Sequence, residues 1–164
     1  MEKAVALIKY ALIILTFLWI TFKINFVKTF LCKFIQKGVI FIKASLKSAS
    51  ELAFIGDAVH TLFVRESLLQ TQKTISGLNK LCSKYCSARY QAKVVDKIAN
   101  ILNEQESDVL RRGRNLDSKT RAKNASVEEY RKATAFETLI GYLYLQNLTD
   151  RLNLILNISM EELW

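Results

Sequence analysis

From about residue 51 to the end of the chain, apolar residues recur every three or four positions, the spacing of helices that bury one face. The pattern predicts a helix over 51–69, a short polar turn over 70–77, and two helices within 78–105 separated near Ser87. A short helix over 106–115 leads into a polar loop over 113–125. Ser126, Val127, Glu128 and Glu129 have the S-x-x-E form of a capping box, so a helix starts there and runs to about Gln146. A last helix covers about 149–157.

The chain before residue 48 has a different pattern. Residues 4–22 carry one charge, Lys9, and residues 24–47 stay apolar with a Lys every four to six positions. Serines cluster at 45–50, where that pattern stops. The chain therefore divides into a hydrophobic, Lys-rich extension (1–47) and a helical domain (48–164). Residues 4–22 have the length to span a bilayer, with Lys9 near one end, and 24–47 suit a basic amphipathic helix on a membrane or on RNA. No good cleavage site for a secretory signal follows, and the absence of Arg argues against a transit peptide. A membrane contact through 4–22 is one expectation; an extension without consequence is the other.

Composition narrows the class. There is no proline and only five glycines, which leaves little material for the turns of a β-sandwich, and 51% hydrophobic residues exclude a disordered chain. The expected fold is all-α. The net charge of +9 comes mostly from residues 1–50, which hold eight Lys and a single acid, Glu2. Whole-chain basicity is therefore weak evidence for nucleic-acid binding. Cys82 and Cys86 lie one helical turn apart with no further Cys or His cluster to complete a metal site, so free thiols in a reducing compartment are expected.

Two acids interrupt the most apolar helices. Asp57 is the only acid between Leu52 and Val64, on the stripe of Ala53, Phe54, Thr61 and Val64. Glu137 is the only acid between Ala133 and Leu145, on the stripe of Ala133, Thr134, Ile140, Gly141 and Tyr144. Both are expected to face inward. A buried carboxylate without a partner costs several kcal/mol, and neither run contains a Lys or Arg. A shared divalent cation, Mg²⁺ by its preference for oxygen ligands, would compensate both. Gly56 beside Asp57, and Gly141 one turn after Glu137, would let the two helices approach closely. The alternative is that either acid sits at a helix end or reaches solvent.

At these residues the chain resembles a known family. "ELAFIGDAVH" and "AFETLIGYLYL" are similar to the two signatures of the ribonuclease III catalytic domain, and "CSARYQAK", "VLRRGRN" and "YRKATAFETLIGYLYL" resemble its compact Mini-ribonuclease III branch of bacteria and plastids. The resemblance covers residues 50 to about 157. It implies an all-α homodimer of the ribonuclease III type that cleaves double-stranded RNA with Mg²⁺ and leaves 5′-phosphate ends. Precursor ribosomal RNA would be the substrate, in a plastid or the bacterial cytoplasm. Asp57 matches the family's central Asp, and Glu137 its essential Glu, so both are implied as catalytic residues and metal ligands. Other acids of the signatures are replaced by Ser50, Ala53 and Thr134. A non-catalytic RNA-binding relative is the alternative, but it would have little reason to keep both acids inside apolar helices.

Arg111, Arg112, Arg114, Asn115, Lys119, Arg121 and Lys123 concentrate positive charge in and before the polar loop, with Asp117 the one acid among them. They are the expected contacts to duplex phosphates, since A-form RNA is read mainly through its backbone and 2′-hydroxyls. Ser87, Arg89, Gln91 and Lys93 form a weaker second candidate. His60, one turn from Asp57, is expected to pack in the core. Tyr130, Phe136, Tyr142 and Tyr144 are expected in the core or a dimer interface.

Overall fold

The computed structural model describes residues 47–71, 74–116 and 125–161. Six α-helices account for most of them: α1 (Ala49–Leu68), α2 (Ile75–Tyr85), α3 (Ala88–Ile98), α4 (Glu104–Arg114), α5 (Val127–Leu145) and α6 (Thr149–Ile158). Short 3₁₀ turns follow α1 and α3, and no strand occurs among the described residues. The expected all-α class is what the chain adopts. Residues 1–46 of the extension, 4–22 among them, lie outside the described residues. Among the described residues, no helix is long and apolar enough to cross a membrane.

Local chemistry starts the helices. Ser48, Asn103 and Ser126 each accept from the backbone N–H three residues on, and Glu51, Glu106 and Glu129 reach back to the cap residue's own N–H. These reciprocal pairs satisfy amide donors that have no partner within the helix. Thr74 and Ser87 cap α2 and α3 through their hydroxyls. The Thr74 cap draws Ile75, Ser76 and Gly77 into α2, where the sequence pattern places them in a turn. After α5, Asn147 takes φ 56°, the left-handed conformation that Asn tolerates better than most residues. Leu148 N–H then reaches the Leu143 carbonyl and Asn147 N–H that of Tyr144, closing the helix end before α6.

α5 is the central helix, packed by α1, α3 and α4 and flanked by α6. Ala133, Ala135, Phe136 and every residue from Thr138 to Leu143 are buried, so it has no broad polar face. α1 contributes Leu52, Gly56, His60 and Val64, an i, i+4 row laid against α5. Leu68, Tyr85, Ile98, Leu139, Ile155 and Met160 fill the core around this pair. Each such buried aliphatic side chain contributes about 1.5–3 kcal/mol.

Close approach depends on small residues. A Cβ on Gly141 would stand 2.0 Å from the Leu52 carbonyl oxygen, and one on Gly113 would stand 2.5 Å from Thr138 Oγ1. The α1–α5 contact is therefore made by backbone, whereas Gly113 of α4 meets the Thr138 side chain and the Ala135 Cα of α5.

One buried ion pair was not evident from the pattern. Glu106, only 2% exposed, receives Arg151 Nε at 2.7 Å and Nη2 at 2.8 Å. The Arg151 guanidinium holds the Glu106 carboxyl below the usual carboxylate range and ties α4 to α6. Arg151 also donates to the Ile101 carbonyl, so the fork is well satisfied.

Candidate active site

The site is built by the crossing of α1 and α5. A Cβ on Gly56 would lie 1.8 Å from the Glu137 carbonyl oxygen, so the helices touch at the residues next to, or carrying, the two acids. The approach is near enough for the Asp57 charge to act on Glu137. Burial pushes the Glu137 carboxyl up to about 7, the negative charge of Asp57 adds to the rise, and a side-chain hydrogen bond from Gln91 opposes it.

The expectation that both acids face inward holds only in part. Glu137 is half-buried, whereas Asp57 is exposed. The buried row of α1 runs through Leu52, Gly56, His60 and Val64, and Asp57 lies one residue, about 100° around the helix, from its centre. Phe54, from the same assigned stripe, is 79% exposed. One acid thus stands in solvent and the other at the edge of the core.

Neither Asp57 nor Glu137 makes an ion pair among the described residues. Thr61 Oγ1 reaches Asp57 Oδ1 at 3.5 Å and Cys86 Sγ at 3.7 Å. Cys86 lies 3.9 Å from Cys82 Sγ, and burial with other effects pushes its thiol up to about 11. Near neutral pH it is a protonated thiol and a poor nucleophile. Two carboxylates held together without a cationic side chain are an oxygen donor set, which fits a hard divalent cation. Among the described residues no group of three or more His, Cys, Asp or Glu side chains gathers, so such a cation would keep several waters. Ser50, Ala53 and Thr134 add no carboxylate: Ser50 is exposed, Ala53 is buried, and the Thr134 hydroxyl donates to the Tyr130 carbonyl.

Behind the acids is a buried polar cluster. His60 is fully buried, as expected, and its ring meets that of Phe136 edge to face at 5.0 Å. Its Nδ1 lies 3.3 Å from Gln91 Nε2. Gln91 is 1% exposed, which removes it from the surface RNA contacts expected of Ser87, Arg89, Gln91 and Lys93. The signal was present in the sequence: Gln91, Val94, Val95 and Ile98 form an i, i+3, i+4, i+7 row, the buried face of α3. Of the others, Ser87 caps α3 and Arg89 pairs with Glu129 at 3.4 Å. Lys93 lines a groove of about 300 Å³ with Arg89, Asp96, Glu128, Glu129 and Lys132, where charges of both signs alternate.

Arg111, Arg112 and Arg114 form the last turn of α4, with Asn115 as its C-cap, so the helix expected over 106–115 holds and the polar loop starts after it rather than at 113. All four are exposed. Cations suit a helix C-terminus, where carbonyls rather than amides point outward, so phosphate contacts here would come from side chains and not from backbone amides. Arg111 pairs with Asp108, Arg112 Nη2 donates to the Lys47 carbonyl at 3.3 Å, and Arg114 lies 3.9 Å from Glu128. Lys119, Arg121 and Lys123 lie outside the described residues. Among the aromatics, Phe136 and Tyr142 are buried, whereas Tyr144 is 44% exposed and Tyr130 is half-buried.

The Ribonuclease III domain family matches residues 50–148. A Mini-ribonuclease 3 of Thermoanaerobacter sp. is 41% identical over 131 residues, covering 78% of this chain and 92% of that protein. The Mini-ribonuclease 3 of Clostridium tetani is 42% identical over 125 residues, covering 74% and 83%. A crystal structure of a Fusobacterium nucleatum protein superposes with a TM-score of 0.67 at 34% identity, covering 73% of this chain and 96% of that one. With an acid pair set on crossed helices, these likenesses place the protein among the helical endoribonucleases. The chain belongs to the ribonuclease III family.

Proposed function

We propose that the protein cleaves double-stranded RNA, with Asp57 and Glu137 holding the required Mg²⁺ and Arg111, Arg112, Arg114 and Asn115 gripping the duplex, joined by Lys119, Arg121 and Lys123. What supports this reading is the pair of acids on helices that touch at Gly56, with no ion pair to either acid among the described residues. A bound divalent cation supplies an activated water and stabilises charge on the scissile phosphate and the leaving 3′-oxygen. The side chains divide the remaining work. Asp57 and Glu137 fix the cation, the arginines hold the phosphate backbone, and no side-chain nucleophile is required. Products would carry 5′-phosphate and 3′-hydroxyl ends.

A homodimer is supported by the exposed apolar residues of α1. Phe54, Ala58 and Leu62 follow one another at i, i+4 and i+8, with Phe54 79% and Leu62 58% exposed, beside Asp57. A second copy covering that face would set two acid pairs on one duplex. The resemblance to Mini-ribonuclease III favours precursor ribosomal RNA as substrate. The named relatives are bacterial, which favours a bacterial cytoplasm over a plastid. A membrane contact through 4–22 rests on hydropathy alone.

The test is incubation of the full-length chain with a defined RNA duplex, with Mg²⁺ and with excess EDTA. Wild type should cut only with Mg²⁺, and Glu137→Gln should bind the duplex without cutting it. Cleavage in EDTA, or wild-type cleavage by Glu137→Gln, overturns the proposal.

A further inference from the structure

Two thiols stand one turn apart at the end of α2. Cys82 lies in the last turn and Cys86 is the C-cap, and their Sγ atoms are 3.9 Å apart without a disulfide. α2 packs on α1, where Cys86 Sγ meets Thr61 Oγ1 at 3.7 Å. The same hydroxyl reaches Asp57 Oδ1 at 3.5 Å. A row of polar contacts therefore runs from the thiol pair through Thr61 to a carboxylate of the active site. Sulfur is a soft donor, and paired thiolates select Zn²⁺ and its heavier congener Cd²⁺ over Mg²⁺. With Zn–S bonds of about 2.3 Å, the 3.9 Å separation corresponds to an S–Zn–S angle of about 116°, close to tetrahedral. The pair is thus already spaced for such an ion.

We propose that Cys82 and Cys86 bind a soft divalent cation of the zinc class, and that its occupancy acts on the active site through Thr61, whose hydroxyl hydrogen turns from Asp57 to the Cys86 sulfur. Thr61 has one hydrogen for two acceptors. A thiol sulfur accepts weakly, so the carboxylate holds that hydrogen while the thiols are protonated; a thiolate competes for it. Burial keeps the Cys86 thiol protonated, with the Cys82 sulfur and the Asp57 charge adding to the effect. The incoming cation displaces both thiol protons to solvent and neutralises the thiolates it creates. Among the described residues no third His, Cys, Asp or Glu joins the pair, so water fills the other positions and the site is exchangeable rather than structural. Asp57 then loses a donor that helps to fix its carboxylate, and the hard-cation site weakens. The coupling rests on the reading of Asp57 as a cation ligand; the sulfur site does not.

The test uses the full-length protein in a phosphine reductant, with Cd²⁺ as the probe and the ultraviolet charge-transfer band of cadmium–thiolate bonds as the readout. A single equivalent should bind and give the band. Cys82→Ser and Cys86→Ser should each lose most of it, whereas Cys32→Ser and Glu137→Gln should keep it. The coupling is read separately, by electron paramagnetic resonance of Mn²⁺ as the hard-cation probe. One equivalent of Cd²⁺ should weaken Mn²⁺ binding to the wild type several-fold. Thr61→Val should bind Mn²⁺ weakly from the start and lose no more with Cd²⁺, while keeping the cadmium–thiolate band. A wild type without the band, or an undiminished band in both serine variants, overturns the sulfur site. Weakening of Mn²⁺ binding that persists when both cysteines are serine is competition at the acids and overturns the coupling. A wild type that binds no Mn²⁺ overturns the reading of Asp57 and the coupling with it, while the band still decides the sulfur site.

Discussion

The backbone of Gly56 rests on the backbone of Glu137: a Cβ added to the glycine would lie 1.8 Å from the Glu137 carbonyl oxygen and 2.8 Å from the Gly141 amide nitrogen. Two peptide backbones, neither able to yield like a flexible side chain, define the separation of the helices that carry Asp57 and Glu137. Gly56→Ala should therefore force α1 and α5 apart. Overpacking of this kind costs about 1–3 kcal/mol or more, against a gain of about 1 kcal/mol from the better helix propensity of Ala. Urea unfolding should show net destabilisation, and the surviving folded protein should bind Mn²⁺ more weakly than wild type. A stabilised Gly56→Ala protein would contradict the crossing geometry.

Stability should depend on pH through Glu137. Its carboxyl is raised from 4.5 to about 7 in the folded chain, so between those values the native state keeps a proton that the unfolded chain has released. Stability without divalent cation should fall as pH rises across that window and level off above it, with a total change on the order of 3 kcal/mol. Thermal unfolding midpoints measured in EDTA from pH 4.5 to 8 check this. Glu137→Gln should lose that contribution, and Mg²⁺ should restore stability mainly at the upper end of the range.

Arg112→Ala and Arg114→Ala should weaken duplex binding and leave Mn²⁺ affinity unchanged, since both side chains are exposed at the end of α4. Removing one guanidinium from the phosphate backbone should reduce the slope of log affinity against log salt by about 1. Binding titrations in Ca²⁺ over a range of salt concentrations measure this. An unchanged slope in both variants would place the RNA elsewhere on the surface.

Leu62→Glu and Phe54→Glu should convert a dimer to monomers while leaving helix content unchanged, because both side chains already stand in solvent in the single chain. Contiguous exposed apolar residues of this kind mark association surfaces. Sedimentation of the full-length protein at micromolar concentration decides it. A wild-type monomer would leave this face without its proposed partner.

The helices themselves were legible in the chain. Periodic apolar residues marked α1, α3, α5 and α6, and Ser126 with Glu129 announced the start of α5, because capping uses residues only three apart. The acid pair was legible for a related reason: one carboxylate in an otherwise uncharged stretch, 52–64 or 133–145, stands out wherever the helix is packed. The α2 start lies earlier than the pattern places it because Ser76 and Gly77 look turn-like until Thr74 is recognised as the cap.

What the sequence determined by itself was local: helix identity, most helix ends, the two acids and the glycines beside them. The tertiary structure decided which face each residue serves. Helical period places Asp57 within a turn of the buried row, but only the packing of α1 on α5 leaves it exposed while Glu137 is half-buried. Gln91 reads as one polar residue among Arg89 and Lys93 until α3 turns its Val94 and Val95 face inward and carries Gln91 to His60. Nothing in the spacing joins Arg151 to Glu106, 45 residues away in sequence, until α6 meets α4. Sequence spacing encodes direction around one helix axis, whereas burial and partnership depend on how two axes cross, and that angle is set by backbone contacts such as Gly56 on Glu137.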